Sequence, residues 1–115
     1  MLVSVVIGLL NEEKFLPRLI EDFKNQTYNH NKIELIFIDG MSKDNSWAIL
    51  QEFKESKHDF FDIVLLKNPK VILSAGMNVG IRAAKGECIL KVDCHSHITE
   101  NFIENNVKAV SYTHL

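Results

Sequence analysis

The chain has 115 residues, 46% hydrophobic and 24% charged, with a formal net charge of -2. That is enough apolar surface for one compact domain and too little chain for two, and no run of one charge sign is available to grip a phosphate backbone over a broad face. Disorder and nonspecific nucleic-acid binding are therefore excluded. The apolar runs Val3–Leu10 and Ile33–Ile38 fall well short of the about 18 residues a membrane-crossing helix requires, and no signal peptide is expected ahead of the first. Cys88 and Cys94 fit neither a disulfide framework nor a paired-cysteine zinc pattern, so a reducing, cytoplasmic setting is expected.

In chain order, Val3-Ser4-Val5-Val6-Ile7 is short, rich in β-branched residues and halted by Gly8, which predicts a buried first strand. Asn11 then stands as a helix cap, with Glu12 and Glu13 at the positive end and Phe15, Leu16, Leu19, Ile20 and Phe23 on one face. Pro17 falls past the position where proline is tolerated, and the helix should end near Gln26-Thr27. A second strand, Ile33 to Ile38, is cut by Asp39-Gly40. Ser42 or Asp44 would cap the next helix, whose inward stripe is Trp47, Leu50 and Phe53.

Phe60 to Leu66 predicts a third strand. From Ser74 a helix carries Met77, Ile81 and Ala84 at helical spacing, with Gly86 as its carboxyl-terminal cap. Glu87 to Val92 makes a fourth strand that stops at Asp93. Residues after about Asn101 start another helix, and 109–115 read as a truncated or foreign tail. Strand and helix alternate four times, so the expected fold is α/β, an open, mostly parallel sheet with right-handed crossovers and helices on both faces.

In such a sheet ligands bind beyond the carboxyl ends of the strands, where loops and helix amino termini converge. Three strand ends carry polar groups: Gly8 to Glu13, Asp39 to Asp44, and Asp93-Cys94-His95-Ser96-His97. If the last segment is extended, Asp93, His95 and His97 point the same way and offer one oxygen and two nitrogens to a divalent cation. Solvent-exposed histidines beside a capping aspartate are the structural alternative, and a zinc site using Cys94 is disfavoured because adjacent side chains diverge. Asn78 and Gly80 lie one turn into a helix, where the glycines serve either a ligand's approach or packing against the sheet. Neither glycine-rich phosphate-loop fingerprint is met.

Taken together, Val3 to Glu13, Ile38-Asp39-Gly40-Met41-Ser42-Lys43-Asp44, Asn68-Pro69, Ser74 to Ile81, Lys85-Gly86-Glu87 and Val92-Asp93-Cys94-His95-Ser96 resemble, in order, the amino-terminal half of the family 2 glycosyltransferases, most closely the succinoglycan-type branch. The resemblance covers roughly residues 2–108. It implies a GT-A fold that transfers a sugar, with inversion and metal assistance, from a nucleotide-diphosphosugar to a polysaccharide or lipid-linked acceptor. By that likeness Gly8, Leu9 and Glu12 line the nucleoside pocket, Asp39 contacts the base or ribose, Gly76 and Asn78 belong to the donor site, and Asp93 opens the metal-binding Asp-x-Asp. His95 takes that motif's third position, with manganese or magnesium as the cofactor. Gly8 replaces a common proline and Gly40 a common aspartate. The family's catalytic base lies beyond the nucleotide-binding half, hence beyond Leu115, so the stretch is expected to be inactive by itself and to meet a membrane only through regions outside it. A receiver-like signalling domain and a small metal-binding protein built on His95 and His97 are the alternatives.

Overall fold

The computed structural model describes residues 1–70 and 74–113. Four parallel strands, β1 (Val3–Leu9), β2 (Ile33–Asp39), β3 (Asp62–Lys67) and β4 (Cys88–Lys91), form one sheet in the order β3-β2-β1-β4. Helices α1 (Leu16–Lys24), α2 (Ser46–Glu55) and α3 (Ser74–Ala83) make the crossovers, and α4 (Phe102–Thr113) follows β4. The expected α/β architecture is therefore the one observed. α4 is continuous across residue 108, and residues 114 and 115 of the expected tail lie outside the described residues.

β1 is central and buried on both faces because its side chains meet a different layer on each. Val3, Val5, Ile7 and Leu9 join the larger core with Leu16, Leu19 and Phe23 of α1, Leu50 and Phe53 of α2, and Ile103 of α4. Phe37 stands at its centre, edge-on to Phe23 and Phe53 with ring centroids 6.3 Å apart in both pairs. On the other face Val6, Ile36 and Ile38 meet Met77 of α3 and Ala84 just beyond it. Among the described residues three helices thus cover one face and a single helix the other.

Several boundaries differ from those the sequence suggests. Asn11 does not cap α1; a turn in which Phe15 and Leu16 donate to the Glu12 carbonyl comes first, and the helix starts at Leu16. Pro17 consequently sits in the first turn, where its missing N–H costs nothing. α1 ends at Lys24, short of Gln26. Strand β3 is shifted to Asp62–Lys67 because Phe60 turns into the aromatic core against Phe53, and β4 is only four residues long. Trp47 is half-buried, with the Lys67 ammonium 4.4 Å above its ring, and Ser46 takes the buried position at the start of α2.

Gly86 is the clearest reversal. α3 ends at Ala83 and no described glycine has positive φ, so Gly86 is not a left-handed helix cap. Glycine is needed because a Cβ there would lie 2.6 Å from the Ser4 backbone nitrogen and 2.9 Å from the Leu2 carbonyl. The loop into β4 is pressed on the start of β1, held by Gly86 N–H to Ser4 Oγ at 2.8 Å and Glu87 N–H to Leu2 O at 2.9 Å. Ser4 Oγ also donates to Glu34 Oε1 at 2.7 Å, and that carboxylate accepts the Lys85 N–H at 2.9 Å. Glu34 is fully buried in β2, which an apolar strand pattern does not foretell. Gly80 serves packing: its Cβ would meet Ile38 Cδ1 at 2.5 Å and Val6 Cγ1 at 2.9 Å.

Candidate functional site

β2 and β3 extend the sheet to one side of β1 and β4 to the other, so the chain reverses direction between β1 and β4. A crevice must open beyond the carboxyl ends of strands at such a switch point, because the flanking connections run away from each other. A cleft of about 670 Å³ lies there. Its walls are Gly8, Leu9, Leu10 and Glu12 from the end of β1, Lys91 to His95 from the end of β4, and Met77 from α3.

Backbone lacing between the first and second strand ends fixes Glu12. Asn11 takes φ 54°, which asparagine tolerates, and its side chain accepts the Lys43 N–H at 2.8 Å. Asn11 N–H donates to Ser42 Oγ at 2.8 Å, Glu12 N–H to Ser46 Oγ at 2.9 Å and Glu13 N–H to Asp44 Oδ2 at 3.2 Å. Met41 rather than Gly40 adopts the left-handed conformation in the facing loop, φ 71°. Such a conformation is costly for methionine and persists because Ser42 N–H and Oγ are both drawn to the Asp39 carboxylate, the hydroxyl at 2.5 Å.

The segment after β4 does not stay extended. Ser96 N–H donates to Asp93 O at 2.9 Å and His95 N–H to Asp93 Oδ1 at 2.9 Å, a tight turn that separates the histidines. His95 remains at the cleft, its Nε2 2.5 Å from Glu12 Oε2. That contact has ion-pair distance without hydrogen-bond alignment, since Glu12 Oε2 is buried and lacks an aligned donor. Phe15 stacks on the His95 ring with centroids 4.4 Å apart, and Arg18 donates to the His95 carbonyl at 3.2 Å. His97 turns away to Asp22, Nδ1 to Oδ2 2.9 Å, in a separate groove with Asn25 and Asn101.

Glu12 and Asp93 give the cleft a negative local field. Burial, together with those two charges, pushes the Cys94 thiol up to about 12, so it is a protonated, inert wall residue. Among the described residues no group of three or more histidine, cysteine, aspartate or glutamate side chains is placed to hold a metal by itself. The extended geometry that would turn Asp93, His95 and His97 the same way is therefore not adopted: Asp93 and His95 line the cleft, with Glu12 beside His95, and His97 does not.

Of the other expected donor-site residues, Gly8, Leu9, Glu12 and Asp93 share the cleft, while Asp39 and Asn78 do not line it. Asp39 is 1% exposed and its carboxylate is spent on its own turn with Ser42; its backbone closes β2 opposite Leu9 of β1, where Gly40 N–H donates to Leu9 O at 2.8 Å. Asn78 is on the exposed side of α3; Gly76 falls in that helix's first turn, and its surroundings lie outside the described residues. Leu10, Met77, Lys91, Val92 and Cys94 also line the cleft, and the sequence reading assigns none of them to the donor site. For Lys91 a signal existed, its position two before Asp93 at a strand end.

A parallel sheet flanked by helices, with a cleft at its switch point, defines a class, the doubly wound α/β domains. Within that class the family model for glycosyl transferase family 2 matches residues 4–114, and the chain belongs to that family. Its fold is GT-A. A Methanococcus voltae dolichyl N-acetyl-alpha-D-glucosaminyl phosphate 3-beta-D-2,3-diacetamido-2,3-dideoxy-beta-D-glucuronosyltransferase is 29% identical over 106 residues, 92% of this chain and 33% of that protein. Among solved structures, S. aureus TarS 1-349 in complex with UDP-GlcNAc superposes with TM-score 0.82 at 20% identity, covering 99% of this chain and 32% of that one. The mannosyltransferase PcManGT from Pyrobaculum calidifontis, in complex with GDP-Man and Mn2+, does so with TM-score 0.84 at 21% identity, covering 92% and 31%. The chain spans about a third of the length of the curated relatives it matches first, 33% in each case. Family membership sets aside the receiver-like alternative, and the divergence of His95 from His97 removes the geometry of the small metal-binding one.

Proposed function

We propose that residues 1–108 are the donor-binding half of a glycosyltransferase that moves a sugar, with inversion, from a nucleotide-diphosphosugar to a glycan or lipid-linked acceptor. The observation that carries this reading is the joining of Gly8, Glu12, Asp93 and His95 in one cleft at the switch point. The nucleoside would lie along Gly8, Leu9 and Glu12, with Asp39 and Asn78 reached only by a ligand extending past the cleft walls, and Gly76 assigned to the donor site by the family resemblance. The aspartate-x-histidine form at Asp93-Cys94-His95 favours the succinoglycan-type branch.

Asp93 and His95 fit manganese or magnesium shared with a diphosphate rather than caged by protein. They supply two donors where a closed site needs more, and such cations characteristically take their remaining ligands from phosphates and water. Bound there, the cation would supply charge neutralisation to the departing diphosphate. Meanwhile Asp93 orients the turn through its bond to the His95 N–H, and the laced Glu12 loop closes the opposite wall. The base that takes the acceptor proton is assigned to the part of the protein that the relatives possess and this stretch does not cover, so the stretch binds donor without turning it over. Two free, buried cysteines agree with a cytoplasmic setting, and among the described residues no helix is long and apolar enough to cross a membrane.

Thermal unfolding with UDP or GDP, each with and without MnCl2, tests the reading. A ligand at a hundred times its Kd adds about 2.7 kcal/mol, about 10 °C in Tm for a domain this size. The nucleotide with Mn2+ should raise Tm in wild type and leave Asp93→Asn unmoved; identical melting in all conditions would defeat the assignment.

A further inference from the structure

Among the described residues Lys91 has no partner that explains its place. It is the last residue of β4, opposite Val6 in the register with β1, and so on the α3 side of the sheet, where Met77 also faces the cleft. It is exposed, and among the described residues it is the one lysine or arginine in the cleft wall. Among the described residues no ion pair or hydrogen bond commits its ammonium. Each of the two carboxylates in the cleft wall has one oxygen turned to His95, Glu12 Oε2 at 2.5 Å from its Nε2 and Asp93 Oδ1 on its N–H, and neither is paired with Lys91. A solvated lysine gains little from an exposed carboxylate, so an uncommitted ammonium in a concave, otherwise acidic site marks where an incoming anion meets cationic charge.

Resting on the donor-binding reading, we propose that Lys91 pairs with the donor's diphosphate and holds it more tightly once the sugar has left. The charge balance gives the reason. When the bond between the sugar's anomeric carbon and the diphosphate oxygen breaks, its electron pair stays on that oxygen; the acceptor oxygen forms the new bond to carbon and loses its proton to the base. The nucleoside diphosphate therefore carries one negative charge more than it did in the donor. A divalent cation already balances the donor's diphosphate, and Lys91 supplies the further positive charge that the product needs. Contacts that strengthen as charge develops favour the reaction, whereas contacts equal in donor and product do not.

The test is calorimetric titration of the chain with saturating Mn2+, using UDP against UDP-GlcNAc, GDP against GDP-mannose, and the free nucleosides uridine and guanosine. Lys91→Ala should weaken the nucleoside diphosphate by about tenfold, the sugar nucleotide by less and the nucleoside not at all. Its binding should also depend less steeply on salt. Lys91→Arg should restore diphosphate affinity to within about threefold, since the charge is what matters. Unfolding midpoints of both variants should match wild type because the side chain is exposed. Lys91→Ala binding as wild type does, an equal loss for nucleoside and diphosphate, or no rescue by arginine would each overturn the role. Wild-type protein that binds neither nucleotide would instead overturn the donor-pocket reading, and this role with it.

Discussion

Gly86→Ala probes the contact on which the site's geometry depends, the seating of the β4 entry on the start of β1. The added methyl would stand 2.6 Å from the Ser4 backbone nitrogen and from Ser4 Oγ, and 2.9 Å from Leu2 O. Two of these atoms are backbone, in or beside a strand paired on both sides, so no rotamer change relieves the clash. Overpacking of this kind costs about 1–3 kcal/mol. Prying the loop away would also break Gly86 N–H to Ser4 Oγ and Glu87 N–H to Leu2 O, about 1 kcal/mol each. The total, about 3–5 kcal/mol, is a large part of a domain's about 5–15.

Gly80→Ala is the internal control. Its methyl meets side-chain carbons, chiefly the far end of Ile38, and alanine regains about 1 kcal/mol of helix propensity, leaving a net cost of about 0–2 kcal/mol. Urea unfolding followed by circular dichroism reads both: the midpoint of Gly86→Ala should fall below that of Gly80→Ala at unchanged slope. A Gly86→Ala midpoint equal to or above the control would refute the argument that backbone contact, and not chain flexibility, requires glycine there.

Two further outcomes follow from the buried and exposed polar contacts. Ser4→Ala should destabilise the fold by about 1–3 kcal/mol in the same urea assay, because the Gly86 N–H loses its acceptor and Glu34 one of its two donors inside the core. A neutral result would mean that water reaches this end of the sheet. The hydrogen bond from His30, 2.7 Å between Nδ1 and Oδ1, holds the Asp59 carboxyl below its usual range. A depressed folded-state pKa means a contribution fully present above the unfolded carboxylate value, about 3.9, and lost as pH falls through the folded one. Unfolding midpoints of wild type and Asp59→Asn should therefore converge below about pH 4, and a constant gap down to pH 2 would contradict the pairing.

What the sequence determined by itself was the order of elements and the large core. Period-two and period-3.6 apolar patterns are local, and Val5, Phe23, Phe37, Leu50 and Ile103 could be buried together only by parallel strands with crossover helices. The motif order placed Gly8, Glu12, Asp93 and His95 at strand ends, and a switch point then had to gather them. Tertiary structure decided what each polar group does there, since a hydrogen-bonding side chain takes the nearest acceptor or donor in space whatever its spacing in the chain. Asn11 became a lace to Lys43 instead of a helix cap, Asp39 spent its carboxylate on Ser42, and His97 left the cleft for Asp22. Gly86, read locally as a helix terminator, answers to the backbone of a strand eighty-two residues earlier in the chain, a contact that exists only once β4 pairs with β1.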